Sequence, residues 1–188
     1  MIVKTGRFGN LNINEQELIH IPAGLLGFPE YKNFCMVDPG DETLILWLQS
    51  IDNPEICFPI LEPKIFKTDY VVRLSAAELR ELKLESLSKA AVFSILTITD
   101  DISAMTANIK APLVINLKEN TARQVVLQEN EYSIKHPMFK ELKTHLITIE
   151  SNKTNSADSK ASPEAPKGSS VVPVNSITPS LQIRALQS

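Results

Sequence analysis

Two cysteines, three histidines and one tryptophan are the scarce residues of this 188-residue chain. Each scarcity removes a class of protein. Cys35 and Cys57 give no disulfide framework. They sit inside the apolar runs Phe34-Cys-Met-Val37 and Ile56-Cys-Phe-Pro-Ile-Leu61, where a free thiol packs as a small hydrophobe. His20, His136 and His145 stand at no spacing suited to zinc, and no cysteine pair lies near them. No apolar run approaches the ~20 residues that span a bilayer. Met1-Ile-Val-Lys-Thr-Gly6 turns too early for the apolar core of a signal peptide. A reducing cytosol is the expected compartment. The aromatic residues, Trp47 among them, are not interleaved with Lys and Arg as single-strand stacking platforms are. Their expected role is core packing.

Charge is also low. Nineteen cations against 22 anions leave a net charge of −3. From Ser151 onward Lys153, Lys160, Lys167 and Arg184 outnumber Asp158 and Glu164, giving +2, so residues 1–150 carry −5. An acidic body argues against direct nucleic-acid binding, which needs clustered cations to displace counterions. It suits a basic protein partner, where charge sets encounter and orientation. Ser151–Pro179 is rich in Ser, Thr, Asn, Lys and Pro and has few large apolar residues. Such a segment buries too little surface to offset ordering entropy, so 151–188 is expected to be a disordered tail behind a 1–150 domain. Leu181-Gln-Ile-Arg-Ala-Leu186 reads either as a frayed terminus or as a short docking motif.

What is present is a succession of short, β-branched apolar stretches, the pattern of strands. Ile2–Val3, Leu18–Ile21, Phe34–Val37, Leu44–Gln49, Ile56–Leu61 and Tyr70–Leu74 come first. Turn sequences separate them: Pro22-Ala-Gly-Leu-Leu-Gly-Phe-Pro29, Asp38-Pro-Gly-Asp41 and Asp52-Asn-Pro54. Ser75-Ala-Ala-Glu78 is a capping box opening a short helix with Leu79 and Leu82 on one stripe. Lys89–Thr99 carries apolar groups on both faces, as a central strand covered on both sides does. Thr106–Ile109, Leu113–Leu117 and Ala122–Leu127 read as a meander, with Pro112 at a strand start or bulge. His136–Thr144 is expected to hold a helical turn with Pro137 at its first position, and Leu146–Ile149 a last strand. The fold class expected is mostly β: a small antiparallel β-barrel-like domain with one or two short helices. Closure removes the edges that so many short strands create; a sandwich is the alternative.

No catalytic constellation emerges. Asp100–Asp101 is a carboxylate pair, but acid–base work needs a positioned group in a cleft with a tuned pKa. Aspartates leaving a strand are turn formers, and Asp69, Asp41 and Glu42 read the same way. Gly24-Leu-Leu-Gly27 lacks the lysine and glycine spacing of a phosphate loop, and no Gly-x-Ser-x-Gly occurs. No cofactor is expected. The other reading, a small ligand-binding or enzymatic barrel, needs a pocket with convergent ionisable groups in the barrel mouth.

Four blocks in order resemble the family of the flagellar assembly factor FliW. They are Gly6-Arg-Phe-Gly9, Ile21-Pro-Ala-Gly-Leu-Leu-Gly-Phe28, Leu48-Gln-Ser-Ile-Asp-Asn-Pro54, and Thr106-Ala-Asn-Ile-Lys-Ala-Pro-Leu-Val-Ile-Asn116 with Gln124-Val-Val-Leu-Gln128 and Tyr132. The resemblance covers Ile2 to about Pro137 and excludes the tail. It implies a β-barrel-like fold and no enzymatic activity. It implies a cytoplasmic regulator, monomeric when free, that contacts neither membrane nor nucleic acid. Its partners would be flagellin and CsrA, a small RNA-binding repressor of translation. When flagellin is scarce, the family member sequesters CsrA and flagellin synthesis resumes, a partner switch driven by mass action. A flagellin chaperone without regulation is a further alternative. Polar residues at the motif turns, Asp52, Asn53, Asp100, Asp101, Asn108 and Lys110, are the candidate partner contacts. Asn108 and Asn116 read equally as turn side chains bonding their own backbone.

Overall fold

The computed structural model describes residues 1–40, 44–143 and 168–173. Short β-branched and aromatic runs build eleven strands among these residues. They are β1 (Ile2–Thr5), β2 (Gly9–Asn12), β3 (Leu18–His20), β4 (Asn33–Asp38), β5 (Leu46–Ser50), β6 (Cys57–Leu61), β7 (Ala90–Thr97), β8 (Thr106–Asn116), β9 (Thr121–Gln124), β10 (His136–Pro137) and β11 (Ser170–Val172). Strands β3 to β9 each pair antiparallel with the next in chain order. The last returns to the first through one parallel pair, His20 with Thr121. Seven strands thus close into a barrel, which rules out the sandwich.

Period-two alternation sorts the side chains into three apolar layers. Phe34, Met36, Leu48, Ile60, Phe93 and Leu113 fill the barrel interior. On the outer face of β4, Cys35 and Val37 pack with Leu11 and Ile13 beneath the β1–β2 hairpin, and Trp47 joins them. The outer face of the β6–β8 wall lies under segments 63–84 and 125–138, where Tyr70, Leu82, Leu96, Ile109, Val114 and Tyr132 meet. Strand β7 is therefore covered on both faces, as its pattern predicts. Each large apolar side chain fully buried here contributes about 1.5–3 kcal/mol.

Helix α1 (Ala76–Glu81), outside the barrel wall, begins at its predicted cap. The Ser75 hydroxyl accepts from the Glu78 amide at 3.3 Å, and the Glu78 carboxylate accepts from the Ser75 amide at 2.7 Å. Leu82 buries against the wall, and Lys83 ends the helix with φ of 52°.

Several expectations change. The stretches 106–109 and 113–116 belong to one strand, β8, whose register slips, and Leu117 begins the turn after it. Phe93 faces Leu113, yet Ile95 faces Asn108, so Ile109–Pro112 form a bulge opposite Ser94. Pro112 sits where no ladder donor is required. Tyr70–Leu74 is not a strand. Tyr132 Oη accepts from the Val71 amide at 3.0 Å and donates to the Val71 carbonyl at 3.1 Å, so a side chain replaces the ladder. Pro137 belongs to edge strand β10, paired with Thr106, and helical residues follow at 139–143. Strand β2 carries a lone buried apolar residue, Leu11, too weak a pattern to read from sequence. Within the tail expected to be disordered, β11 pairs with β4. Leu146–Ile149, Leu181–Leu186, His145, Asp41 and Glu42 lie outside the described residues.

Candidate partner-binding surface

The six candidate residues divide between holding the fold and facing solvent. Asp52 is a brace. One carboxylate oxygen accepts from the amides of Lys32 and Asn33 at 2.6 and 2.9 Å, the other from the Asn33 side chain at 2.9 Å. Asn53 donates to Tyr31 Oη at 3.0 Å and accepts from the Glu55 amide. Together they tie the β5–β6 turn to the start of β4. Asn108 Oδ1 accepts from the Ala111 amide at 2.9 Å, closing the β8 bulge. Asn116 Oδ1 accepts from the amides of Lys118 and Glu119, the local turn bonding foreseen for it. Lys110 Nζ donates to the Glu129 carbonyl at 2.6 Å.

Burial pushes the Asp52 carboxyl up, but the Asn33 side chain and the Asn33 and Lys32 amides, helped by His20, hold it below its ordinary value. A depressed folded-state pKa contributes stability that is complete above the unfolded value of 3.8 and is lost as pH falls through the folded value. The Asp52→Asn variant is expected to be less stable than the parent by on the order of 1 kcal/mol at pH 7, a charged hydrogen bond discounted for exposure. That gap narrows below pH 4. Urea denaturation of both proteins from pH 7 to pH 3 checks this; a gap independent of pH refutes it.

Asp100 and Asp101 stand apart from this framework. The β7–β8 turn caps a short 3-10 segment, Ile102–Ala104, in which Asp101 accepts from the Ser103 amide at 2.9 Å and the Ser103 hydroxyl at 2.6 Å. Those bonds, the side-chain one foremost, hold its carboxyl below the usual range. Met105 anchors the turn in the outer layer. Ile98 and Ile102 are exposed by 44% and 60% beside the two aspartates. The turn is thus an apolar knob with acidic flanks. Because Ile60 pairs with Ile95 in an antiparallel ladder, the start of β6 and the end of β7 lie at one end of the wall. The topology therefore brings Asp52–Asn53 and Asp100–Asp101 to that shared end; Asn108 and Lys110 stay within β8.

A second apolar feature escaped the sequence reading. The loop from Pro22 to Pro29 buries Leu25 but leaves Leu26 58% exposed. The Leu26 amide donates to Gln124 Oε1 at 2.9 Å, and Gln124 Nε2 donates to the Ala111 carbonyl at 3.0 Å, fixing the loop to β8. Leu26, Pro29, Arg123, Gln124 and Val126 line a cleft of about 370 Å³. The signal was alternation: Val125 and Leu127 bury, so Val126 must face out.

The chemistry-bearing groups lie elsewhere. His20 is exposed between buried Ile19 and Ile21, as foreseen, and His136 stacks on Phe66 at 6.0 Å. Burial raises the Cys35 thiol to about 12 and the Cys57 thiol to about 11, so both stay protonated and unreactive. Among the described residues no group of His, Cys, Asp and Glu is placed to hold a metal ion. Nor is any helix there long and apolar enough to cross a membrane. The barrel interior is occupied by its own side chains.

Comparison with known proteins agrees with this picture. The family model described as FliW protein matches residues 2–138. A flagellar assembly factor FliW of Bdellovibrio bacteriovorus is 41% identical over 147 residues, covering 78% of this chain and 84% of the relative. Its counterpart in Caldanaerobacter subterraneus subsp. tengcongensis is 38% identical over 144 residues, 76% of this chain and 96% of the relative. A crystal structure of the flagellar assembly factor FliW superposes with a TM-score of 0.69 at 29% identity, covering 74% of this chain and 97% of that one. The chain belongs to the FliW family of flagellar assembly factors.

Proposed function

We propose that this protein is a cytoplasmic partner-switch regulator: it binds flagellin and, when flagellin is scarce, sequesters a CsrA-type translational repressor. The observation that carries this reading is family membership across the whole barrel. The filled interior supports it by leaving protein contact at the surface as the mode of action. The protein is monomeric when free and acts away from membrane and nucleic acid. Asp100, Asp101, Ile98 and Ile102 form its contact with the basic repressor: the aspartates steer encounter, and the isoleucines supply the buried apolar centre such interfaces need. Asp52 and Asn53 brace the neighbouring β5–β6 turn, while Asn108 and Lys110 hold the β8 bulge and the segment over it.

Titration calorimetry against the host's flagellin and, separately, its CsrA-type protein tests the reading. Saturable binding to both is expected, each partner weakening the other. The Asp100→Lys variant is expected to lose at least tenfold in repressor affinity with an unchanged thermal midpoint, because Asp100 is exposed and the turn is capped by Asp101 instead. Binding of flagellin alone would leave a chaperone without regulation. Binding of neither partner would overturn the proposal.

A further inference from the structure

Strand β4 shares one long edge between two neighbours that are far apart in sequence. Leu18–His20 cover Asn33–Cys35. Strand β3 extends no further, because a 3-10 turn at Glu15–Glu17, closed by the Asn14–Glu17 capping box, leads the chain away. The next three residues of that edge, Met36–Asp38, would present unpaired amides and carbonyls. Ser170–Val172 of the tail pair with them antiparallel: Ser170 opposite Asp38, Val171 opposite Val37, Val172 opposite Met36. The two valines enter different layers. Val172 is 9% exposed inside the barrel with Met36, and Val171 packs in the outer layer with Val37 and Trp47. The Ser169 hydroxyl donates to the Pro39 carbonyl at 3.2 Å.

This strand lies beyond residues 2–138, the part that matches the family. Its pairing is short and confined to β4. Its recognition is local: a three-residue ladder plus one inward and one outward β-branched side chain. Those are the ingredients of strand addition, in which main-chain bonds bind and alternate side-chain pockets select. We propose that the Met36–Asp38 edge of β4 is a strand-docking site for an extended segment with two adjacent β-branched residues. Ser170–Val172 is its resident occupant in cis, and a partner's segment of the same chemistry takes its place. This site is separate from the acidic β7–β8 turn and does not depend on the identity of either proposed partner.

The test uses the full chain. Trp47, the sole tryptophan, pairs with Val37 and shares a layer with Val171, so its emission reports docking. The Val171→Asp/Val172→Asp variant should release the tail. Its Trp47 emission is expected to shift to the red, and amide exchange at Met36–Asp38 to rise at least tenfold. A labelled synthetic peptide spanning residues 167–174 should bind this variant saturably and the parent at least tenfold more weakly. The same peptide with both aspartates should bind neither. Unchanged emission and exchange, or equal peptide binding to variant and parent, would overturn the proposal. Should the variant fail to fold, a full chain carrying a protease site between residues 151 and 160 replaces it. After cleavage the resident strand is expected to exchange with labelled peptide, and no incorporation would likewise overturn the proposal.

Discussion

Truncating Phe93 to alanine is expected to lower the unfolding free energy by about 3–5 kcal/mol, the range for a large aromatic side chain removed from a close-packed interior. The ring is 2% exposed, on the inward face of β7, in one cluster with Phe34, Leu48, Leu113 and Ile115. Collapse around the void is opposed from both sides. Inside, the closed ring of strands fixes the barrel radius. Outside, Val92 and Leu96 hold β7 against the second layer. For a chain of this size the thermal midpoint should fall by roughly 10 °C. Calorimetry of parent and Phe93→Ala decides the matter. A loss under about 1 kcal/mol would mean that the interior is not packed around this ring.

Gly24→Ala is expected to cost about 3 kcal/mol, from two separable sources. Gly24 has φ of +69°, a left-handed conformation in which a Cβ is strained. A Cβ there would also stand 2.7 Å from the Phe28 carbonyl oxygen and 2.7 Å from Pro29 Cα, backbone atoms with little freedom to move. Gly27 provides the control. Its φ is +86°, but a Cβ would meet nothing within 4 Å. Gly27→Ala should therefore show the conformational part alone, about 1–2 kcal/mol. Equal losses for the two variants, measured by urea denaturation, would show that the close approach at Gly24 contributes nothing. The Gly24 substitution also shifts the loop that presents Leu26, so the geometry of the cleft depends on a residue with no side chain.

Where one physical signal dominated, the sequence was enough to read the structure. The alternation of β7 announced a strand covered on both faces. Ser75 and Glu78 marked a helix start, and Asp52-Asn-Pro54 a turn. The errors came where a distant partner decided the outcome. Whether Tyr70–Leu74 forms a strand depends on Tyr132, whose hydroxyl occupies the Val71 backbone. The bulge of β8 depends on its register against β7, and no local pattern encodes that. The Ser170–Val172 strand sits in a polar stretch of sequence; its two valines gain a burial site only where β4 and the layers on its two faces receive them. Of the candidate contacts, Asp52, Asn53, Asp101 and Asn108 also bond the backbone of their own or neighbouring turns, a second role that polar residues at turns carry by their chemistry. Exposure of Leu26, Ile98 and Ile102 needed the fold, since apolar residues in a turn do not declare which of them stay outside.

The seam of the barrel has a consequence for how the molecule is made. Every other neighbouring pair of barrel strands is consecutive in the chain, so its contacts can form as soon as both strands exist. The seam joins β3 to β9, and the nearby bond from Leu26 to Gln124 spans 98 positions. Loop-closure entropy rises with that separation, which makes the seam the expected last event in closing the seven-stranded barrel. Until it forms, a nascent sheet carries two open edges at β3 and β9, with Ile19 and Ala122 not yet enclosed. Misassembly between chains should therefore arise during synthesis and refolding, at these edges, while the finished barrel hides them.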